Sequence, residues 1–150
     1  MVSGSNDRTI KIWNLQTGKL KSTLTSHSGW VYSVAISPDG QTLVSGSGSG
    51  SGSGSDDNTI KIWNLQTGEL KSTLTGHSDS VLSVAISPDG QTLVSGSVDK
   101  TIKIWNLQTG ELKSTLTGHS DYVYSVAISP DGQTLVSGSG DKTIKIWRMP

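Results

Sequence analysis

Laid against itself, the sequence comes back into register after 42 residues. The pentapeptide TIKIW stands at Thr9–Trp13, Thr59–Trp63, Thr101–Trp105 and Thr143–Trp147, and the longer SVAISPDGQTLVSGS begins at Ser33, Ser83 and Ser125. The first interval in each series is 50 residues and every later one is 42. The surplus of eight falls in SGSGSGSGSGS, Ser45–Ser55, so this run is an insertion into a repeat and not a domain boundary. A period of this size belongs to stacked supersecondary units, none of which buries its apolar face alone.

One unit resolves into four short strands. VLSVAIS (Val81–Ser87) alternates in polarity and stops at Pro88-Asp89-Gly90, a turn signal. TLVSGS (Thr92–Ser97), TIKIW and ELKSTLT (Glu111–Thr117) follow, separated by Val98-Asp99-Lys100 and Gln108-Thr109-Gly110. Four strands joined by turns, rich in β-branched residues and with no helical periodicity, predict an all-β antiparallel meander.

These units resemble the WD40 repeat. Gly76-His77 is followed by Asp99 and Trp105, and Gly118-His119 by Asp141 and Trp147, with Trp 28 residues after His and six after Asp. Two departures stand out: Asn14, Asn64, Asn106 and Arg148 follow the tryptophans where the family usually has Asp, and Ser26 replaces the Gly before His27. The resemblance implies a β-propeller of four-stranded blades around a channel. With strands lettered a to d outward, residues 1–25 form a partial blade b-c-d. Residues 26–75 form a blade whose b–c turn is replaced by the tether 45–55, 76–117 a complete blade, and 118–150 a partial blade a-b-c. The tether is expected to be disordered and long enough for Thr59–Trp63 to pair on another chain.

Composition excludes several functions. Twelve basic and twelve acidic residues balance, so no net field favours nucleic acid or an anionic membrane. There is no Cys, hence no disulfide or thiolate site. No apolar run spans a bilayer and the N-terminus lacks a signal-peptide pattern, which makes the cytoplasm the default location. No cofactor is expected.

His, Ser, Asp and Trp together invite a hydrolase reading, yet an active site needs one copy and this set recurs in every unit. The family resemblance implies a structural hydrogen-bonded network instead. It comprises His27, Asp57 and Trp63; His77 with Ser95 or Ser97, Asp99 and Trp105; and His119 with Ser137 or Ser139, Asp141 and Trp147. One His per blade also keeps His27, His77 and His119 from converging on a metal. Lys11, Lys61, Lys103 and Lys145 alternate with Ile and read as a solvated face.

Function is sought where the copies differ. Ser80 and Leu82 are replaced by Tyr122 and Tyr124 in the last unit and by Trp30 and Tyr32 in the first. All lie just after the d–a loop, on the face that the resemblance marks for partners, so these four aromatics are candidate protein anchors. Trp30 and Tyr122 are expected at the surface, with core and surface equally open for Tyr32 and Tyr124. A glycan-binding propeller using this rim is the alternative. The uniformity of the copies points to recent duplication or deliberate design. About three and a half repeats are too few for a ring, so the chain is expected to close with copies of itself. A homodimer of six or eight blades is favoured, eight because it keeps every strand, with a trimer of nine also open.

Overall fold

The computed structural model describes residues 1–49 and 57–150. The expectation of disorder for the later part of the Gly-Ser run lies outside these residues. The described residues form fourteen strands in four antiparallel sheets. The first holds β1 (Val2–Gly4), β2 (Thr9–Trp13) and β3 (Leu20–Thr25). The second holds β4 (Trp30–Ile36), β5 (Thr42–Gly48), β6 (Ile60–Asn64) and β7 (Leu70–Leu74). In the third are β8 (Val81–Ile86), β9 (Thr92–Ser97), β10 (Ile102–Asn106) and β11 (Leu112–Leu116). The fourth contains β12 (Val123–Ile128), β13 (Thr134–Ser139) and β14 (Ile144–Arg148). Within every sheet, spatial order follows sequence order.

The turns that enforce this meander are chemically specified. Between β8 and β9, Pro88 removes a backbone donor and Gly90 takes φ 71°, a left-handed angle that side chains disfavour. Asp89 Oδ1 accepts from Ser87 Oγ at 2.5 Å and from Gln91 N at 3.0 Å, while Ser87 Oγ accepts from Thr92 N at 2.9 Å. Between β10 and β11, Asn106 Oδ1 accepts from Gln108 N and Thr109 N at 2.9 and 3.0 Å. The Asn that departs from the usual family residue after Trp is therefore the cap of the c–d turn.

The Gly-Ser run is partly strand. Ser45–Gly48 completes β5, with Ser45 paired to Lys61 and Gly46 to Ile60 across to β6. Serine and glycine at 45–47 repeat the SGS that ends β9, so they hold its register and bury its face. The linker thus begins later than the tether boundary at Ser45.

Strand alternation gives each sheet two apolar faces. On one, Val94, Ile102 and Ile104 pack against Val123, Val126 and Leu135 of the following sheet. The preceding junction repeats this with Val44, Ile60 and Ile62 against Val81, Val84 and Leu93. Gly96 is required there: a Cβ at that position would stand 2.8 Å from Val123 Cγ1. At the fourth sheet the same face is uncovered. Ile144 and Ile146 are 75% and 76% exposed, whereas Ile102 and Ile104 of identical sequence are each 1% exposed. Covering that pair would contribute roughly 3–6 kcal/mol, at about 1.5–3 kcal/mol per side chain. The four sheets do not close on themselves within this chain.

Candidate functional site

Three buried polar clusters fasten the second, third and fourth sheets, each bringing the loop before strand a onto strands b and c. In the third sheet, His77 Nε2 lies 2.7 Å from Ser95 Oγ and His77 Nδ1 lies 2.7 Å from Asp99 Oδ2. Trp105 Nε1 donates to the same Ser95 Oγ at 2.9 Å. The fourth sheet repeats this with His119, Ser137, Asp141 and Trp147, at 2.8, 2.7 and 2.8 Å. In the second sheet His27 meets Asp57 at 2.9 Å and Ser45 at 2.7 Å, and Trp63 donates to Ser45 at 2.9 Å.

The donors and acceptors fix the proton arrangement. Ser95 Oγ accepts from the indole N–H and gives its own hydrogen to His77 Nε2, which leaves Nδ1–H to donate to Asp99. Every donor and acceptor in the chain is then matched. Asp99 Oδ1 also accepts from Thr101 N and Thr101 Oγ1, at 2.9 and 2.6 Å, and Oδ2 accepts from Ser78 N at 3.1 Å. Burial opposes charge on Asp57 and Asp99, but the bonds from His27 and Thr59, or from His77 and Thr101, outweigh it. Both carboxyls are held well below the usual carboxylate range. For Asp141, the Thr143 hydroxyl is the main lowering influence, ahead of His119.

Of the two serines open in each unit, Ser95 and Ser137 join the cluster. Ser97 Oγ instead donates to Asp79 O at 3.2 Å and accepts from Asp99 N at 3.1 Å, and Ser139 does the same with Asp121 and Asp141. Ser45 was missed by sequence reasoning because it is hidden in the Gly-Ser run. The spacing from His carried the signal: 18 residues separate His27 from Ser45, His77 from Ser95 and His119 from Ser137. The first sheet holds a reduced version, in which Trp13 Nε1 donates to Ser3 Oγ at 2.9 Å and Asp7 accepts from Thr9, with no His.

A serine or histidine held this way cannot do acyl transfer. The Ser45, Ser95 and Ser137 side chains are at most 1% exposed and their oxygens are committed on both sides. Among the described residues, no three or more His, Asp or Glu are grouped to hold a metal ion.

The aromatic candidates lie elsewhere. Trp30 and Tyr32 pair with ring centroids 6.2 Å apart, and Tyr122 and Tyr124 pair at 6.1 Å. Trp30 is half-buried, while Tyr32, Tyr122 and Tyr124 are 38%, 41% and 57% exposed. None of the four belongs to the interior clusters between sheets. Burial and the nearby Asp79 carboxylate push the Tyr32 phenol upward. Of the lysines, Lys61 and Lys103 reach across to Thr73 and Thr115 on the outer strand, at 3.1 and 3.0 Å.

Antiparallel sheets of three or four strands laid in sequence order, three of the four fastened by a His–Ser–Asp–Trp chain, are the blades of a β-propeller. The chain belongs to the WD40 family: the pattern described as "WD domain, G-beta repeat" matches residues 1–14, 18–64, 68–106 and 110–148. Among curated proteins it is 49% identical over 51 residues to "Small ribosomal subunit protein RACK1y" of Oryza sativa subsp. japonica, which is 34% of this chain and 15% of that protein. It is 49% identical over 45 residues to "Lissencephaly-1 homolog" of Caenorhabditis briggsae, 30% of this chain and 12% of that one. With "Nuclear distribution protein PAC1" of Mycosarcoma maydis it shares 44% identity over 45 residues, 30% of this chain and 10% of the relative. The matched stretches thus span a small part of each relative's length. Among the described residues no helix is long and apolar enough to cross a membrane.

Proposed function

We propose that this chain is a non-catalytic interaction scaffold that binds protein partners on the d–a loop face and associates with copies of itself in the cytoplasm. The observation that carries the partner-binding reading is the Tyr122–Tyr124 pair. Two large aromatics stand largely exposed at positions where the third sheet has Ser80 and Leu82. Exposed tyrosines on a rigid strand supply contact area at little entropic cost, which suits an interface anchor. Trp30 and Tyr32 are the second such pair. The His–Ser–Asp–Trp sets, with Ser97 and Ser139 beside them, are structural fasteners in this reading. The relatives' names, which mention a ribosomal subunit and nuclear distribution, support a role in assemblies. Near-identical copies favour recent amplification or design as the origin.

The test exploits the repeat itself. Tyr122→Ser with Tyr124→Leu converts the fourth sheet to the third sheet's residues, which the same fold already accommodates. The double variant should keep its thermal stability and self-association yet lose protein captured by the parent chain. Unchanged capture, with the Trp30→Ser and Tyr32→Leu pair also silent, would remove the aromatic face from the reading. Self-association is read separately, from mass by light scattering: a folded species of 15.8 kDa across the micromolar range would refute it.

A further inference from the structure

Successive sheets meet through a junction with three parts, seen twice in full. The a-strand serine accepts a backbone bond from the next sheet: Val84 N donates to Ser33 Oγ at 3.1 Å, and Val126 N to Ser83 Oγ at 3.2 Å. The b-strand glycine makes room for a valine of that sheet, since a Cβ on Gly46 or Gly96 would stand 2.8 Å from Val81 or Val123. The c-strand isoleucine pair is then buried. On the β12–β14 face all three parts are open. Ser125 is exposed, a Cβ on Gly138 would meet nothing within 4 Å, and Ile144 and Ile146 face solvent.

The matching half-junction is on β4. Val31 and Val34 are its counterparts of Val81 and Val84. Within the chain this half is covered by the β1–β2 hairpin, where a Cβ on Gly4 would stand 2.6 Å from Val31 Cγ1 and Ile10 is fully buried. The cover is partial, because the first sheet has no a strand and nothing there corresponds to Ser33 or Ser83 beside Val34. β1–β2 and β13–β14 carry the same TIKIW with a Gly five residues before it, so β13–β14 of another copy has the residues to take the seat that β1–β2 holds on Val31.

We infer that the open β12–β14 face is filled by β3–β7 of a second copy, which sheds its own β1–β2 hairpin to accept it. This rests on the self-association reading above and specifies its geometry. β12 lies beside the second copy's β4, with Ser125 Oγ accepting from Val34 N and Gly138 receiving Val31. β3 of that copy pairs with β14 as the missing outer strand. Lys103 pairs with Thr115 in the third sheet and Lys11 with Thr23 in the first, so Lys145 takes Thr23 in the composite. For the seat on the second copy's β4, the β12–β14 face is the better cover on strand length: β13 is six residues against three for β1, and it arrives with an a strand attached. The count is three blades per copy, six in a ring of two. Abutting the first and fourth sheets with every strand kept would give eight; Trp13 and Leu15 would then meet Ile144 and Ile146 as Trp105 and Leu107 meet Ile60 and Ile62, but Gly138 would be left without a valine and Ser125 without a backbone donor.

The chain has no cysteine, which permits a direct cross-linking test on the full chain. Val31→Cys with Gly138→Cys should form a disulfide between copies under mild oxidation, identified by mass spectrometry of the joined peptides. The internal reference is Gly96→Cys with Val123→Cys, whose Cβ positions lie 3.3 Å apart, close to the disulfide range of about 3.5–4.5 Å. Association without the 31–138 bond, while the reference bond forms, overturns this geometry and leaves self-association standing. A folded monomer overturns both. Ile10→Asp supplies a second reading: by loosening the rival hairpin it should lower the association midpoint concentration by about tenfold. A midpoint that stays or rises refutes the displacement.

Discussion

The second and third sheets are built from nearly the same residues, yet one accommodates eight extra residues between its middle strands and the other turns in four. Their His–Ser–Asp–Trp chains nonetheless agree to within 0.2 Å at every bond. The cluster is therefore positioned by strand register and by the d–a loop, and not by the turn that lies nearest to it. The cost appears one residue away. Ser97 Oγ has a donor and an acceptor, whereas its counterpart Ser47 Oγ is buried with no partner among the described residues, as is Asn58 Oδ1. Gly29 stands where the third sheet has Asp79, and Asp57 comes ten residues after Ser47 where Asp99 comes two after Ser97. The backbone differs at one matched position as well: Arg8, Lys100 and Lys142 sit at φ near 70° in their tight turns, a sparsely populated angle for such residues, and their counterpart Asn58 does not.

The largest test of this comparison is truncation of the indole. Trp105→Ala and Trp63→Ala should each cost about 3–5 kcal/mol in urea unfolding, since both rings are 2% exposed. A markedly smaller loss for Trp63→Ala would mean the insertion has loosened its sheet. Next in size, Ser95→Ala and Ser45→Ala each strand an indole N–H and an imidazole nitrogen, at about 1–3 kcal/mol.

Acid supplies a third test. Asp57 and Asp99 have folded pKa values lowered from 3.8, so the unfolded chain binds more protons at low pH. Their contribution is complete well above 3.8 and is lost as pH falls through and below that value. Melting temperature should drop steeply below about pH 4. In Asp57→Asn or Asp99→Asn that acid limb should be shallower, from a lower starting stability, and an unchanged limb in both would end the argument.

The pair Ser97→Ala and Ser47→Ala should sharpen the contrast, the first costing about 0.5–1.5 kcal/mol and the second being neutral or mildly stabilising. Removal of eight residues from the Gly-Ser run is the smallest effect. It should raise stability by under about 1 kcal/mol, because loop entropy varies only logarithmically with length.

Much of this was legible in the residues because local chemistry repeats. The Pro-Asp-Gly turns, the alternating strands and the 42-residue period led to four sheets with the observed strand order. What the sequence withheld depends on neighbours. Ser95 and Ser97 point to the same face of β9, and only the distance from His77 separates their roles. Ser45 looked like linker because it is chemically identical to linker, and its place in β5 comes from pairing with Lys61. Tyr32 and Tyr124 could have gone inward or outward, since strand a borders both the adjoining sheet and solvent. Ile104 and Ile146 lie in the same run DKTIKIW, and a missing neighbour makes one interior and the other surface.

The serine-to-valine bonds between adjoining a strands have a consequence for how such a gene can change. Each unit carries the donor for one side and the acceptor for the other, so whole units can be gained or lost by recombination without inventing a new contact. A point change in the shared valines or isoleucines enjoys no such freedom. It must be matched on the adjacent copy, which selects for correction towards uniformity and slows the drift of the copies apart.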